Sequence, residues 1–346
     1  MNEIKTSGKA LSGSEAVLKV AVLSGGIGTE RQVSLESGRC VAEALSRAGI
    51  EAILADTRPD DLTILDDKSI DVFFVALHGE FGEDGQLQQI LEGKGLCYTG
   101  SGPEACKLAI DKLASKDIFR KAGVQVPAAI RFDESSVSVQ QLYSLGQRYV
   151  VKPVSHGSSV GVSIANNAEE AIGSAKQCFA EYGDCMIEKF IAGREVTVGV
   201  LQGKTLPVME VRHKAVFCDY RAKYVDDTTE CLFDTIADAV LVEKVSHDAI
   251  MCFESLGCRH FARVDFILGD DGTPYVLEIN TIPGMTSHSW VPKAAARIGL
   301  SMPDLCMRIV ETALTEARTG KSVYSIEAVT RGQKKKEKKA FTQGVT

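Results

Sequence analysis

At 346 residues, 45% hydrophobic and 25% charged, the chain has the composition of a soluble globular protein with room for two or three domains. The formal net charge is −7, and the stretch from Arg331 to Lys339 holds one Arg and five Lys against one Glu, so the rest is more acidic still and nucleic acid is excluded as a partner. No run of about 18 apolar residues could span a membrane, Met1 to Glu15 lacks the apolar core of a signal peptide, and ten cysteines without a C-x-x-C pair, several in apolar stretches (Cys40, Cys97, Cys252), suit reduced core thiols in the cytoplasm.

Residues 1–18 read as a disordered polar extension. Lys19 to Leu23 is a short apolar run ending in Ser24-Gly25-Gly26, and Val33 to Leu45 follows with helical spacing, which predicts strand, glycine turn and helix. A dinucleotide fingerprint is absent, because Arg31 stands where its third glycine belongs. Val72 to Leu77 predicts a second buried strand, closed by His78-Gly79-Glu80, with a helix starting from Glu83. Residues 19–110 therefore predict an α/β domain with a doubly wound parallel sheet. The loops 25–34 and 78–85 should meet at the carboxyl edge of its strands.

A second unit is expected over residues 111–200. Arg148 to Pro153 predicts a strand carrying Lys152, followed by the small-residue stretch Ser155 to Gly161. Small residues let backbone N–H groups approach a polyphosphate, and a lysine adds a point charge; the same composition also makes an ordinary hairpin turn, and the P-loop spacing is missing. Met186 to Ile191 leads through a connector to a strand beginning at Glu195. Such a connector can present backbone groups to an adenine edge, or simply join two strands. In the third unit, residues 201–320, the charged segment Tyr220 to Glu230 reads as a lid, and helices are expected over Val240–Leu256 and Pro303–Ala317. Residues 321–346 form a basic tail expected to be disordered.

The most informative segment is a hairpin. Arg263 to Ile267 and Tyr275 to Asn280 both alternate polar with apolar residues, and Asp271-Gly272 between them is a favoured two-residue turn. Counting back from that turn sets Asp265 opposite Glu278 and Arg263 opposite Asn280, all on one face. Facing carboxylates repel and call for a positive partner. An oxygen-only set of two carboxylates and an amide suits Mg²⁺ or Mn²⁺ beside substrate phosphates, while pairing with Arg263 or plain solvation would satisfy the same pattern.

These segments, in this order, resemble the ATP-grasp superfamily and, within it, the D-alanine–D-alanine ligase family. The resemblance runs from Lys19 to about Ala317. It rests on Glu30-Arg31-Gln32-Val33-Ser34, Leu77-His78-Gly79, Asp111-Lys112, Val151-Lys152-Pro153, Gly157-Ser158-Ser159-Val160-Gly161, Ile187-Glu188-Lys189, Ala222-Lys223-Tyr224, Arg263-Val264-Asp265, Glu278-Ile279-Asn280-Thr281 and Pro283-Gly284-Met285-Thr286-Ser287-His288-Ser289. The resemblance implies an ATP-grasp fold, α+β in its C-terminal half, and ligation of two D-alanines through a D-alanyl phosphate for peptidoglycan precursors. ATP would lie near Lys112, Lys152, Ser158, Ser159, Glu188, Lys189, Phe190, Ile191, Glu195 and Lys223. Two Mg²⁺ or Mn²⁺ would sit on Asp265, Glu278 and Asn280. Glu30 and His78 would hold the first D-alanine, and Ser289 and Trp290 would flank the second. Arg263 and Gly284 would stabilise the oxyanion, with Ser158 and Tyr224 joining Glu30 to the lid. Tyr224 in place of Phe favours a dipeptide over a D-lactate ester; another ATP-grasp carboxylate–amine ligase is the alternative. A homodimer is implied as well. The pattern departs from the family at His156, Phe190, Trp290 and the Cys231 to Thr235 stretch.

Overall fold

The computed structural model describes residues 17–213 and 229–320. Lys19–Gly25 (β1) is buried over nearly its whole length because it runs between two parallel neighbours, Glu51–Thr57 (β2) and Val72–Val75 (β3). Helix Arg31–Arg47 (α1) covers this sheet with Val41, Ala44 and Leu45. The turn after β1 and the segment after β3 emerge at the same sheet edge, as read from the sequence. Ser34 ties them together: its Oγ accepts the Gly25 N–H at 2.9 Å and donates to the Ala76 carbonyl at 2.8 Å. β2 escapes a sequence reading because it is an edge strand whose residues are mostly half-exposed, so no apolar run marks it. Helices Gln86–Gly93 (α2), Pro103–Ile110 (α3) and Lys112–Lys121 (α4) follow. Asp111 caps α4, its carboxylate accepting the N–H groups of Leu113 and Ala114.

Two antiparallel sheets make up the rest. Ala129–Arg131 (β4), Tyr149–Pro153 (β5), Ser163–Ala165 (β6) and Cys185–Lys189 (β7) pair in the order β4-β7-β5-β6. Helix Val139–Leu145 (α5) and helix Ala168–Tyr182 (α6) back them through Leu142, Ala171 and Ala175. The larger sheet has six strands: Gly193–Leu201 (β8), Lys204–Thr205 (β9), Met209–His213 (β10), Thr229–Phe233 (β11), Phe261–Gly269 (β12) and Pro274–Asn280 (β13). Its order is β11-β10-β8-β12-β13, with β9 on β8. The helix Ala239–Ser255 seals one face, packing Val245, Ala249 and Phe253 against Val196, Val264 and Phe266. The helix Met302–Thr319 returns to the first domain and packs Leu305, Ile309 and Val310 beside Val41 and Leu45. Among the described residues, no helix is long and apolar enough to cross a membrane.

The β12–β13 hairpin has the expected facing pairs, Asp265 with Glu278 and Arg263 with Asn280, by a different route. The turn is longer than two residues: Leu268 pairs with Pro274, Gly269 accepts the Gly272 N–H, and Gly269 donates to the Thr273 carbonyl. That alone would shift every pair by one. A bulge between Asp265 and Phe266 on one side and Val276 and Glu278 on the other restores the register. A bulge of this kind re-aims side chains, here bringing Glu278 back to the face of Asp265.

Candidate active site

A cleft open to solvent lies between the two antiparallel sheets. Lys112, Lys152, Glu188, Phe190, Glu195 and Glu278 are among its walls, together with Ser159, Lys189 and Ile191. The cleft holds a charged knot. Lys152 Nζ donates to Glu188 Oε1 at 3.0 Å, and Lys116 Nζ lies 2.8 Å from Oε2. Glu188 is 2% exposed and Lys116 1%. Burial pushes the Glu188 carboxyl up, but the two ammonium groups outweigh it and hold it below the ordinary range. Burial has the opposite effect on Lys116, pushing it down to about 8. Lys112 Nζ donates to the His156 carbonyl at 2.6 Å and sits 3.3 Å from Glu278 Oε2. Phe190 carries the Arg148 guanidinium over its ring at 4.2 Å, a cation–π pair.

The loop from Ser155 to Gly161 lies between this cleft and the first domain. Ser158 and Ser159 both adopt left-handed backbone, φ +54° and +59°, which costs non-glycine residues about 1–2 kcal/mol each. The Ser158 hydroxyl donates to Glu30 Oε1, joining the loop to the start of α1. Glu30 sits against Gly79, where a Cβ would meet its Oε2 at 2.6 Å; the backbone there is also left-handed, so glycine is required. Burial, then the nearby Glu83 charge, hold the Glu30 carboxyl above the ordinary range. Buried His78 stands close by, its Nε2 3.0 Å from Ser37 Oγ and its Nδ1 3.5 Å from Glu83. Ser37 also accepts the Met285 N–H at 3.2 Å, linking this corner to the segment after β13.

On the hairpin face, Arg263 grips Asp265 with Nε at 2.9 Å and Nη2 at 2.8 Å, and Thr197 Oγ1 donates to Asp265 at 2.6 Å. The Arg263 pairing left open by the sequence is thus present, and it fixes one carboxylate of the facing pair. The guanidinium also lies 4.7 Å from the Trp290 ring. Arg263, Gly284, Ser289 and Trp290 line a second hollow. Ser289 Oγ accepts the Thr286 N–H at 3.0 Å, and a Cβ on Gly284 would come within 2.7 Å of that oxygen. Glu278 and Asn280 line the hollow beside Lys112. Asp265, Glu278 and Asn280 stand on one sheet face and offer the oxygen donors that a hard divalent cation takes; here those oxygens face Arg263 and Thr197, Lys112, and the Ile282 N–H respectively. Among the described residues, no group of three or more His, Cys, Asp or Glu side chains is arranged to hold a metal ion.

Lys223, Tyr224 and most of the Tyr220 to Glu230 segment lie outside the described residues. The nine described cysteines are all free thiols, of which Cys40, Cys97 and Cys231 are only half-buried, and burial pushes Cys106 and Cys258 up to about 12. Lys116 was missed by the sequence reading. Its signal was present: Lys112, Ser115, Lys116 and Phe119 recur at helical spacing on the buried side of α4, placing two lysines where apolar residues are the rule.

A cleft between two antiparallel sheets, with lysines and a buried glutamate on one side and an acidic hairpin on the other, following a parallel α/β domain, defines an ATP-grasp protein. The family profile described as "D-ala D-ala ligase C-terminus" matches residues 118–311, and "D-ala D-ala ligase N-terminus" matches residues 61–101. A D-alanine--D-alanine ligase of Anaeromyxobacter dehalogenans is 43% identical over 302 residues, which cover 86% of this chain and 98% of the relative. The crystal structure of D-alanine--D-alanine ligase from Bacillus anthracis superimposes with a TM-score of 0.78 at 36% identity, covering 88% of this chain and all of that one. The same enzyme complexed with ATP gives 0.77 at 33% identity, again over 88% of this chain and all of the other. The chain belongs to the D-alanine–D-alanine ligase family.

Proposed function

We infer that the protein is an ADP-forming ligase that joins two D-alanines: ATP + 2 D-Ala → ADP + Pi + D-Ala-D-Ala. The observation that carries this reading is the 43% identity to a D-alanine--D-alanine ligase over nearly that protein's full length. Retention of Arg263, Asp265, Glu278 and Asn280 on a single sheet face supports a working catalyst. In this reading ATP occupies the cleft between the sheets. Lys112, Lys152, Ser158, Ser159 and Lys223 approach its phosphates, the Glu188 to Ile191 segment meets the adenine, and Glu195 the ribose.

Glu30 receives the ammonium of the first D-alanine, beside His78, and its partner Ser158 couples that event to the phosphate loop. The first carboxylate attacks the γ-phosphorus, ADP departs, and an acyl phosphate forms. The amine of the second D-alanine, whose carboxylate is held by Ser289 near Trp290, attacks the acyl carbon. Arg263 and the Gly284 N–H donate to the developing oxyanion until inorganic phosphate leaves. Asp265, Glu278 and Asn280 would hold two Mg²⁺ or Mn²⁺, whose charge neutralises the phosphates during transfer. No side-chain nucleophile is required. Alignment of the reactants accounts for about 7–11 kcal/mol of barrier lowering, and each oxyanion donor for roughly 3 kcal/mol. In this reading Tyr224 would join Glu30 and Ser158 to a lid that shields an intermediate water would destroy. A cytoplasmic homodimer acting on small molecules alone, without nucleic acid or membrane, completes the reading.

The test is phosphate release from ATP and Mg²⁺ with single amino acids. D-Alanine should support turnover and L-alanine essentially none; equal rates with both enantiomers, or none with either, contradict the assignment.

A further inference from the structure

We propose that Lys116 is a positioning residue that neutralises Glu188 from behind, leaving Lys152 with an uncompensated charge to present to the nucleotide phosphates. The inference rests on the nucleotide reading of the cleft given above. Glu188 is pinned between two ammonium groups, Lys152 Nζ at 3.0 Å on one oxygen and Lys116 Nζ at 2.8 Å from the other. Of the three, Lys152 and Glu188 line the cleft, and Lys116 does not. Lys116 stands on α4 one turn after Lys112, and its second partner is the Val276 carbonyl of β13 at 3.2 Å. The other nearby carboxylate, Glu278, is 3.3 Å from Lys112. Two lysines, at 2.8 and 3.0 Å, thus share Glu188, and the Glu278 charge also acts on Lys116.

That ratio decides the electrostatics. A lone Lys152–Glu188 pair would be neutral, and an ammonium already matched by a carboxylate in a buried site has little left to offer a phosphate. With Lys116 behind it the knot carries one net positive charge. The carboxylate stays ionised and held in place as an acceptor, while the outer ammonium faces the cleft. A buried lysine is expensive to the fold, and replacing buried ion pairs with apolar residues is often neutral or stabilising, so fold stability is a poor reason for this one. The family's phosphate-binding role needs only lysines that touch the ligand; Lys116 acts through one that does.

The experiment measures calorimetric affinities for ADP and adenosine in the full-length protein and takes their ratio, which isolates the phosphate contribution. Lys116→Met should lower that ratio about tenfold, one net hydrogen-bonded charge being worth at least that factor. Glu188→Gln should hold it at or above wild type, because Lys152 loses its counter-charge even where buried Lys116, deprived of Glu188, sheds its proton. The double variant K116M/E188Q, whose knot again carries one positive charge, should return it to near the wild-type value. Equal losses of ADP and adenosine affinity in K116M would mean a purely structural role and overturn the inference. If K116M does not fold, E188Q decides: a ratio below wild type overturns it. Wild-type protein that fails to bind ADP at all would instead sink the nucleotide reading beneath it.

Discussion

Burial beside Glu83 holds the Glu30 carboxyl above its ordinary range, so its charged form is disfavoured by the fold. A folded-state pKa above the unfolded one means that this residue's contribution to stability is fully present below the unfolded pKa and is lost as pH rises through the folded value. Glu30→Gln should therefore raise the thermal midpoint at neutral pH while raising KM for D-alanine at least tenfold; a lower midpoint with unchanged KM would contradict both halves of the argument. In the wild type, first-substrate binding should fail on the acid side at higher pH than an ordinary carboxylate would dictate. Asp265 is in the opposite position, gripped by Arg263 and Thr197. Asp265→Asn should abolish turnover with circular dichroism unchanged, and near-normal rates would refute its metal role. Arg263→Ala should cost about 10²–10³ in kcat, the range for one oxyanion donor.

The loop from Ser155 to Gly161 shows what an element demands of single positions. Gly161 has φ +68°, and a Cβ there would meet Tyr182 at 2.7 Å and Pro153 at 2.9 Å. Gly161→Ala should destabilise by about 1–2 kcal/mol and raise KM for ATP more than KM for D-alanine; scanning calorimetry with initial rates checks both. The presence of this loop was legible from its run of small residues, but its link to Glu30 was not, because residues 128 positions apart meet only through tertiary packing. The hairpin was legible because period-two alternation declares which side chains share a face. Its bulge was not, since alternation says nothing about one unpaired residue, and a misplaced turn happened to cancel it. Lys116 on the buried face of α4 was missed for a different reason: lysine is usually solvated, so without a motif match of its own, such as Lys112 has, it reads as surface until the sheets close over it.

At the scale of the whole molecule, the first domain is bolted to the six-stranded sheet by a polar cluster. His260 Nδ1 accepts the Gly100 N–H at 2.9 Å, its Nε2 lies 2.8 Å from Glu316, and Arg259 donates to the Tyr98 hydroxyl at 2.8 Å. Burial pushes the His260 imidazole below its ordinary value. With the folded pKa depressed, the neutral ring's contribution is present above the unfolded value and is lost as pH falls through the folded one. His260→Ala should cost about 1–3 kcal/mol in a denaturant melt, leave kcat within about twofold, and flatten the acid limb of the stability curve. Fold class and reaction were legible because the ordered motifs span almost the entire chain; the cluster at His260 was not, because its members come from residues 98–101, 259–260 and 316 and form no local pattern. The central claim, that ATP activates a D-alanine through its own carboxyl group, is tested most directly by turnover with D-alanine labelled with ¹⁸O in the carboxylate. An acyl phosphate predicts one labelled oxygen in each released phosphate and a D-alanyl-D-alanine product. Unlabelled phosphate, with ATP consumed by water, would contradict it.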